Sequence, residues 1–567
     1  MTEVVKIDGA PGAGKTTALV GYVSSHAKSG YSLDDCLYLT FTRAARTEVA
    51  DRLHEVFPEE SMDTVKKHAR TFHGAALSSC LRAGGLDNPR EQVITPVHNG
   101  DIYEGFCRDW GFEYAPEMMT TSLRARVEGR PESEPTGNKV FRLAEHLALT
   151  RRDAAAHVNA PISLPLSSEE VHAALEAWKA YKAETAPRPL FEHHDYVNLA
   201  IDESYHPQGR VLFIDEFQDL SPQEYALFRE WRDSGGFDVI YLAGDANQSI
   251  YSFREATPAL FERMPVDRVE TLNESYRVPS AITIAARSIL RSHPANETAG
   301  LTSAREGGTV QRVVTRDASR LGACVRHALD THTPQQGVAV FVLGRTNRHV
   351  RSLAAALRRE GIPYTTLNQP DLWTEELTRL YEAICALRDG APVPTVCVRA
   401  LLEALPHDER EWREQALFGG KALQQTLSDP SKVFEYDVVR RAFPEPTADL
   451  IGRFVELGPK SRTTLLNASS SPTTHVPTHL QLGTIHAVKG LEAPCVLLSD
   501  AYTKRLKRTY ATDERFAAEE HRLYYVGSTR ASESLYIVSG YGGAPMFPGF
   551  RGGIPTSVGR PRYKRGV

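Results

Sequence analysis

A group of glycines followed by a lysine and a threonine, close to the start of the chain, has the spacing of a phosphate-binding loop. The pattern GxxxxGK[ST] is matched by Gly9, Ala10, Pro11, Gly12, Ala13, Gly14, Lys15 and Thr16, with Thr17 directly after it. Glycines let backbone N–H groups wrap around phosphates, the lysine adds a positive charge, and the threonine hydroxyl can ligate Mg²⁺. The flanking sequence predicts the strand and the helix that such a loop requires. We therefore expect a nucleoside triphosphate site here.

Two carboxylates that follow a second apolar run supply the remaining chemistry. Residues 211–214 are Val-Leu-Phe-Ile, and Asp215 and Glu216 come next. Ligands bind at the carboxyl ends of parallel strands, so these acids should lie beside the phosphate loop. Hydrolysis of a triphosphate needs one acid to hold the metal and another to activate water. We assign Asp215 to the metal, together with Thr16, and Glu216 to the role of general base.

A third apolar run, residues 239–243, leads into a polar and aromatic loop. Gln248 follows this run closely enough to contact a γ-phosphate, whereas Tyr251 and Phe253 could face a different ligand. One loop would then connect two binding sites. An ordinary polar loop is the open alternative when this segment is considered alone.

The elements that must position these residues follow an α/β pattern with parallel sheets, because short β-branched runs alternate with helical patterns at both ends of the chain. Candidate strands are residues 4–7, 36–41, 211–214, 239–243, 338–343, 496–498 and 535–538. Two mainly helical stretches interrupt this rhythm. The first, residues 76–200, contains a polar loop at 129–138, and the second, about 372–478, ends in a Ser/Thr-rich hinge that begins at residue 460. We expect two lobes, each split by a mainly helical insert.

Several motifs in order resemble those of the UvrD/Rep/PcrA family of superfamily 1 DNA helicases. After the phosphate loop the matching segments are LTFTRAAR (39–46), TFHG (71–74), DEFQD (215–219), GDANQSIYSFR (244–254), LNESYR (272–277), TIHAVKGLE (484–492) and RLYYVGSTRA (522–531). The sequence QSIYSFR resembles the corresponding motif in the branch of the family that moves 3′ to 5′ along DNA. The resemblance implies two RecA-like P-loop lobes, with ATP and Mg²⁺ as cofactors.

The resemblance also implies which residues contact the nucleotide. Tyr276 would stack on adenine, and Glu492 would accept hydrogen bonds from the ribose hydroxyls. Arg277 and Arg530, both contributed by the second lobe, would reach the γ-phosphate as arginine fingers, because a planar guanidinium suits charge spread over phosphate oxygens. A surface ion pair is the alternative for either arginine taken alone.

A second set of residues would contact single-stranded DNA, again by resemblance. The candidates are Phe41, Thr42, Phe72, His73, Tyr251, Phe253 and His486. Tyr251 and Phe253 would present rings on which bases stack. The other two phenylalanines are weaker candidates, for which core packing is an equal alternative. Either histidine would contact the strand or relay its presence, with packing at a lobe interface as the alternative.

The motifs and the helical stretches together predict seven segments. In order these are first lobe 1–75, first insert 76–200, first lobe continued 201–268, second lobe 269–371, second insert 372–478, second lobe continued 479–540, and tail 541–567. The tail is basic and rich in Gly and Pro, so it is either a solvated chain or a nucleic-acid contact.

Three features depart from the family pattern. The adenine-reading glutamine motif that normally precedes the phosphate loop is absent from this sequence, which leaves a strict preference for ATP open. Glu255 stands where the family usually has glycine, and it places an acid near a DNA-facing loop. The second insert is shorter than the family norm, so duplex engagement or autoinhibition by that insert could differ.

Composition narrows the class of protein further. With 66 Lys+Arg against 71 Asp+Glu, the formal net charge is −5, which excludes binding of nucleic acid by a bulk positive field. The length and the 41% hydrophobic content disfavour chain-wide disorder and a single small domain. The seven cysteines form no CxxC pair or metal-ligand cluster, which is typical of a reduced cytoplasmic protein. No apolar run is long enough to cross a bilayer and no presequence precedes the phosphate loop, so we expect a cytoplasmic, nucleoid-associated protein without a membrane partner.

These inferences predict an ATP-dependent DNA helicase that translocates 3′ to 5′ on single-stranded DNA and unwinds duplex. The alternative is a nucleic-acid-stimulated ATPase that remodels protein–DNA complexes or senses DNA without productive unwinding. The expected partners are single-stranded DNA and tailed duplex DNA, with repair, replication or defence proteins as further candidates. We expect a monomer or a weak DNA-induced dimer.

Overall fold

The chain forms two compact units in a computed structural model. The model describes residues 2–119, 134–296, 300–315, 317–332, 337–367, 373–418, 432–455, 457–470, 477–541 and 547–552. The first unit consists of Met1–Thr283, Ile289–Glu306 and Thr509–Tyr525, and the second of Ile284–Ser288, Gly307–Arg508 and Val526–Val567. Among the helices formed by the described residues, none is long and apolar enough to cross a membrane.

The first unit is built on a parallel sheet of six strands. Its strands are β1 (Glu3–Gly9), β2 (Cys36–Thr40), β3 (Ala69–Thr71), β4 (Val211–Ile214), β5 (Val239–Gly244) and β6 (Arg268–Leu272). They lie in the order β3-β2-β4-β5-β1-β6, with every pair parallel. Strands β4 and β5 carry no charged residue, because the sheet is buried on both faces there. Since β4, β5 and β1 are neighbours, the loops that follow them meet at one edge of the sheet.

Thirteen helices lie between residues 15 and 291, within the described ranges, and belong wholly or partly to the first unit or its insert. They are α1 (Lys15–Lys28), α2 (Arg43–Val56), α3 (Met62–His68), α4 (Phe72–Ala83), α5 (Pro89–Gln92), α6 (Gly100–Asp109), α7 (Pro116–Met119), α8 (Thr136–Leu149), α9 (Ser168–Glu184), α10 (His193–Asp202), α11 (Pro222–Asp233), α12 (Pro258–Glu262) and α13 (Ser280–Arg291). Two short strands, β7 (Glu274–Ser275) and β8 (Thr302–Ser303), pair with each other in parallel.

The first insert is helical, as predicted, where the structure describes it. Its apolar core holds Trp178, which packs against the rings of Tyr103 and Phe141. The buried Lys182 ammonium lies 2.9 Å from the Glu192 carboxylate and also contacts Asp195. It therefore supplies a positive charge among carboxylates that could otherwise attract a metal ion.

The second unit is built on another parallel sheet of six strands, in the order β11-β14-β10-β15-β16-β9. The strands that follow β8 in the chain are β9 (Thr309–Val314), β10 (Val340–Gly344), β11 (Thr365–Thr366), β12 (Val393–Pro394), β13 (Val433–Phe434), β14 (Leu480–Thr484), β15 (Ala493–Ser499) and β16 (Ala531–Ser539). Strands β12 and β13 form a separate antiparallel pair in the second insert. The fold class, two parallel sheets with helical inserts, is confirmed.

The later helices complete the second unit and return to the first. They are α14 (Ala318–Thr331), α15 (Asn347–Arg359), α16 (Glu375–Asp389), α17 (Thr395–Glu403), α18 (His407–Phe418), α19 (Tyr436–Ala442), α20 (Thr447–Arg453), α21 (Pro459–Ser469), α22 (Lys504–Thr512) and α23 (Glu514–Ser528). Most of α23 belongs to the first unit, although the sequence assigned residues 479–540 to the second lobe.

Three further sequence expectations differ from the structure. Strand β6 pairs with β1, so the boundary placed at residue 269 cuts through a strand of the first sheet. Helix α21 occupies much of the predicted Ser/Thr-rich hinge. Residues 129–133 of the predicted polar loop at 129–138 lie outside the described residues. The rest of the predicted loop overlaps α8, which begins at Thr136. The tail at 541–567 lies largely outside the described residues.

Candidate nucleotide site and aromatic loop

The phosphate loop joins β1 to α1. Gly14 precedes α1 with φ 86°, and no side chain caps that helix start, so the first N–H groups of α1 are available to an anion. The buried Lys15 ammonium donates to the Gly9 carbonyl over 2.8 Å and to the Ala10 carbonyl over 3.3 Å. The phosphate loop thus combines uncapped backbone N–H groups with a lysine ammonium that the loop's own carbonyls hold in place.

Thr16 and Asp215 bring two oxygen ligands together. The Thr16 hydroxyl donates to Asp215 Oδ2 over 2.6 Å, and the Tyr38 hydroxyl lies 3.4 Å from the same oxygen. Burial raises the pKa of Asp215, and the neighbouring Glu216 charge raises it further. A hydroxyl and a carboxylate are ligands that suit Mg²⁺. These residues therefore fit the expected metal, and a bound cation would favour the ionised form of Asp215.

Glu216 is the first residue of a chain of polar contacts that leads away from the phosphate loop. Its backbone is left-handed, with φ 58°, which is uncommon outside glycine and is found where the surroundings fix a strained residue. Gln218 Nε2 donates to the Glu216 carboxylate over 2.6 Å, and Gln218 Oε1 accepts from the Asp245 N–H over 3.0 Å. Gln248 Nε2 donates to Asp245 Oδ2 over 2.9 Å. The ends of β4 and β5 are thereby connected through side chains.

The LNESYR segment packs directly against the phosphate loop. The Tyr276 N–H donates to the Gly12 carbonyl over 3.0 Å, and the Ser275 hydroxyl donates to the Pro11 carbonyl over 2.7 Å. Gly12 has φ +71°, and a Cβ added there would lie 2.6 Å from Arg277 Cβ. Arg277 is therefore a residue of the first unit, and the expectation that the second lobe contributes it is wrong. The Tyr276 side chain is 64% exposed.

Three of the predicted strand-facing rings come together. Tyr251 stacks on Phe41 with ring centroids 5.1 Å apart, and Phe253 meets Tyr251 edge-on at 5.6 Å. Phe41, Tyr251 and Phe253 are all partly exposed, and we call them the aromatic cluster. The Arg254 guanidinium lies 4.6 Å from the centre of the Phe41 ring. Thr42 instead caps α2 by accepting from the Ala45 N–H.

Phe72 and His73 differ from each other in their surroundings. Phe72 is 3% exposed and stacks on Trp231 inside the core, so its predicted role as a base-stacking ring is wrong and the core alternative holds. His73 Nδ1 lies 3.5 Å from the Glu224 carboxylate. Burial lowers the pKa of His73 to about 4, although Glu224 acts in the opposite direction. His73 is thus neutral near pH 7.

The predicted residues of the second unit lie around β14, β15 and β16. His486 lies in a short 3₁₀ turn after β14, and Glu492 is exposed immediately before β15. Arg530 is 2% exposed. Its guanidinium donates to the Val526 carbonyl over 2.9 Å and to the Thr529 hydroxyl over 3.1 Å.

Several residues that shape the site were not predicted. Glu224 accepts hydrogen bonds from Ser221 and from Arg254 over 3.2 Å, and Gln218 and Ser275 make the contacts described above. Glu224 has a sequence signal, because Ser221 and Glu224 have the spacing of a capping box at the start of α11. Gln218 and Ser275 lie inside the DEFQD and LNESYR segments, but the sequence does not indicate which residues they contact.

Glu255, the departure from the family's glycine, ends the turn that carries Phe253. Its backbone is left-handed, with φ 61°, a conformation that glycine adopts without penalty and other residues adopt at a cost. Its carboxylate lies 3.3 Å from Nδ1 of His146 in the first insert. The acid therefore faces α8 of the insert.

Two family models match the chain. The UvrD/REP helicase N-terminal domain matches residues 1–267, and the UvrD-like helicase C-terminal domain matches residues 458–540. The phosphate loop on the first sheet and the second parallel sheet define a P-loop protein with two RecA-like lobes. The chain belongs to the UvrD/Rep-like family of superfamily 1 helicases.

Individual relatives agree with this assignment. The chain is 25% identical over 568 residues to ATP-dependent DNA helicase UvrD2 of Mycobacterium tuberculosis, covering 93% of this chain and 75% of that protein. It is 25% identical over 366 residues to DNA helicase IV of Escherichia coli, covering 58% of this chain and 51% of that protein. A third relative, ATP-dependent DNA helicase UvrD1 of Mycobacterium leprae, is 22% identical over 392 residues, covering 62% of this chain and 46% of that protein.

Proposed function

We propose that this protein is an ATP-dependent DNA helicase that moves 3′ to 5′ along single-stranded DNA and separates the duplex ahead of it. One observation carries the proposal. The contacts from Glu216 through Gln218 and Asp245 to Gln248 connect the phosphate side to the loop that holds Tyr251 and Phe253 of the aromatic cluster. The names of the relatives, all DNA helicases, support the same activity.

The nucleotide chemistry follows from the residues of the first unit. Lys15 would exchange its loop carbonyls for the β- and γ-phosphates, and Thr16 and Asp215 would hold Mg²⁺, which neutralises phosphate charge when bound. Glu216 would take a proton from the attacking water as the water oxygen bonds to the γ-phosphorus and ADP leaves. Arg277, beside Gly12, would stabilise the charge on the transferred group.

Coupling to the strand would use the aromatic cluster. Bases stack on aromatic rings without regard to sequence, at roughly 1–3 kcal/mol per base, which suits a motor that must pass over any sequence. Gln248 and Tyr251 share one short loop, so a shift of Gln248 at the γ-phosphate would move the rings that hold the bases. Each cycle of ATP hydrolysis would then move the protein one step along the DNA strand.

The experiment measures ATP hydrolysis with and without single-stranded DNA. Lys15→Ala and Glu216→Gln should each reduce DNA-stimulated hydrolysis by about 100-fold or more, with Glu216→Gln still binding ATP. A variant that remains active would refute the assignment. Duplexes with 3′ or 5′ single-stranded tails test direction, and better unwinding of the 5′-tailed duplex would contradict the proposed polarity.

A second candidate is a DNA-stimulated ATPase that displaces or remodels proteins on DNA without productive unwinding. The short second insert favours it, because the insert predicted at 372–478 offers less surface for duplex. Strand separation and removal of a protein roadblock, measured side by side, distinguish the two. Roadblock removal without strand separation would support this candidate, with repair, replication or defence proteins as its targets. A monomer or a weak DNA-induced dimer is compatible with either activity, and sedimentation with and without DNA tests this.

A further inference from the structure

We infer that Glu519 and Arg522, on one face of α23, fix the backbone of the loop that carries Tyr251 and Phe253 of the aromatic cluster, and so act as positioning residues for the motor. This inference rests on the proposed function and extends it. Both residues belong to the first unit, as does the loop they contact. Their side chains are buried, with the residues 7% and 9% exposed.

Arg522 holds the loop at Ser249, two residues before Tyr251. Its Nε donates to the Ser249 carbonyl over 2.9 Å, and its Nη1 donates to Asn296 Oδ1 over 2.9 Å. The Asn296 amide in turn donates to the Ala518 carbonyl over 3.2 Å. The guanidinium is therefore fixed at two nitrogens, with Asn296 connected back to the helix that carries it. A planar group held in this way sets the position of the carbonyl it contacts.

Glu519 holds the loop immediately after Tyr251. One carboxylate oxygen accepts from the Ser252 N–H over 3.0 Å, and the other accepts from the Ser252 hydroxyl. Charge-assisted hydrogen bonds of this kind are about twice as strong as neutral ones. Because Glu519 and Arg522 are three residues apart on a helix, both project from the same face. Together they contact the loop on both sides of Tyr251, and we call this pair the α23 clamp.

The clamp and the ring stacking act on different parts of Tyr251. The clamp holds the backbone at Ser249 and Ser252, whereas the Phe41 ring contacts the tyrosine ring. Loss of the clamp should leave the rings present but allow the loop to take several positions. Stacking and coupling depend on a fixed ring, whereas ATP binding depends on the phosphate loop. We therefore expect clamp variants to hydrolyse ATP normally without DNA and to use it inefficiently on DNA.

The test compares four variants in the full chain: Glu519→Ala, Glu519→Gln, Arg522→Met and Ser252→Ala. Glu519→Ala and Arg522→Met should weaken binding of 2-aminopurine-labelled single-stranded DNA by about fivefold or more. They should also raise the ATP consumed per base pair unwound by about threefold or more. DNA-independent hydrolysis should stay within about twofold of the wild type. Glu519→Gln retains an acceptor for the Ser252 N–H and should recover most of the coupling.

Ser252→Ala removes only a hydroxyl from an exposed residue, so it tests the clamp without a risk to folding. Its effect and that of Glu519→Ala on DNA affinity should be non-additive, because both changes remove one shared interaction. Additive effects, or an unchanged ATP cost per base pair in Glu519→Ala, would overturn the clamp. If single-stranded DNA did not stimulate ATP hydrolysis by the wild-type protein, the proposed function would be overturned instead. Failure of the clamp and failure of the proposed function are therefore distinguishable.

Discussion

Gln218 donates its side-chain amide to the Glu216 carboxylate over 2.6 Å. The same side chain accepts from the Asp245 N–H and is fully buried. The proposed general base is thus oriented by a residue whose side-chain oxygen also holds the start of the loop that leads from β5 to Tyr251 and Phe253.

Replacing Gln218 with leucine should lower kcat for DNA-stimulated ATP hydrolysis by about 10- to 100-fold, because a positioned general base contributes about that much or more. The KM for ATP should change little, since the phosphate loop is untouched. Steady-state kinetics check both values. Gln223→Leu is the matched control, because Gln223 is equally buried but bonds to His194 and Asn198 in the insert. An equal loss of kcat in both variants would indicate a general structural effect.

Gly12→Ala should abolish productive ATP binding, because the new methyl group would meet Arg277 Cβ at 2.6 Å on a backbone with φ +71°. Titration with a fluorescent ATP analogue measures the loss. Gly21→Ala in α1 is the control, since a Cβ there has nothing within 4 Å. That control should bind normally and gain up to about 1 kcal/mol of stability. Normal affinity in Gly12→Ala would show that the loop and Arg277 are not packed as described.

Tyr251→Ala and Phe72→Ala should have opposite effects on DNA affinity and on stability. Tyr251→Ala should weaken single-stranded DNA binding by about 1–3 kcal/mol with little loss of stability. Phe72→Ala should reduce the free energy of unfolding by about 3–5 kcal/mol, because Phe72 is a core residue. DNA titration and urea denaturation of each variant separate the two roles. A stable Phe72→Ala with weakened DNA binding would restore Phe72 as a strand contact.

His521 should make stability depend on pH. Burial lowers the pKa of this fully buried histidine to about 4, from an ordinary value of 6.5. Its ring contacts the Ile289 carbonyl at 2.8 Å and the Tyr510 hydroxyl at 2.6 Å. Because the unfolded chain binds the proton more tightly, this contribution to stability is complete above pH 6.5 and is lost as the pH falls towards 4.

The expected loss between about pH 7 and about pH 5 is about 1–2 kcal/mol. Urea denaturation at both pH values measures it, and His521→Gln should reduce the difference because glutamine does not titrate there. An identical pH dependence in the variant would show that His521 does not contribute.

The sequence predicted the central strands because they are mainly apolar, whereas β6 carries the polar sequence RVETL and is mostly exposed. An edge strand of this kind lacks the apolar run that identifies its neighbours. The location of Arg277 could not be read from its motif, since a motif records neighbours in sequence and the contact with Gly12 joins distant residues. The same holds for Glu519 and Ser252, which are 267 positions apart.

Phe72 shows a different limit. An aromatic residue after a strand suits a core and a binding surface equally well, whatever motif it lies in. Burial against Trp231, which depends on the packing of α4 and α11, decides between them.

The left-handed Glu255 connects the loop that carries Tyr251 and Phe253 to helix α8 of the first insert. A glycine there would adopt the left-handed backbone without strain, whereas a glutamate adopts it at a steric cost and gains a contact with His146. Substitutions in α8 can therefore change the energy of the loop that carries Tyr251 and Phe253 without changing a motif residue. The first insert and the loop should accordingly tolerate mutations jointly rather than independently, and an insert exchanged from a relative would function best when residue 255 is exchanged with it.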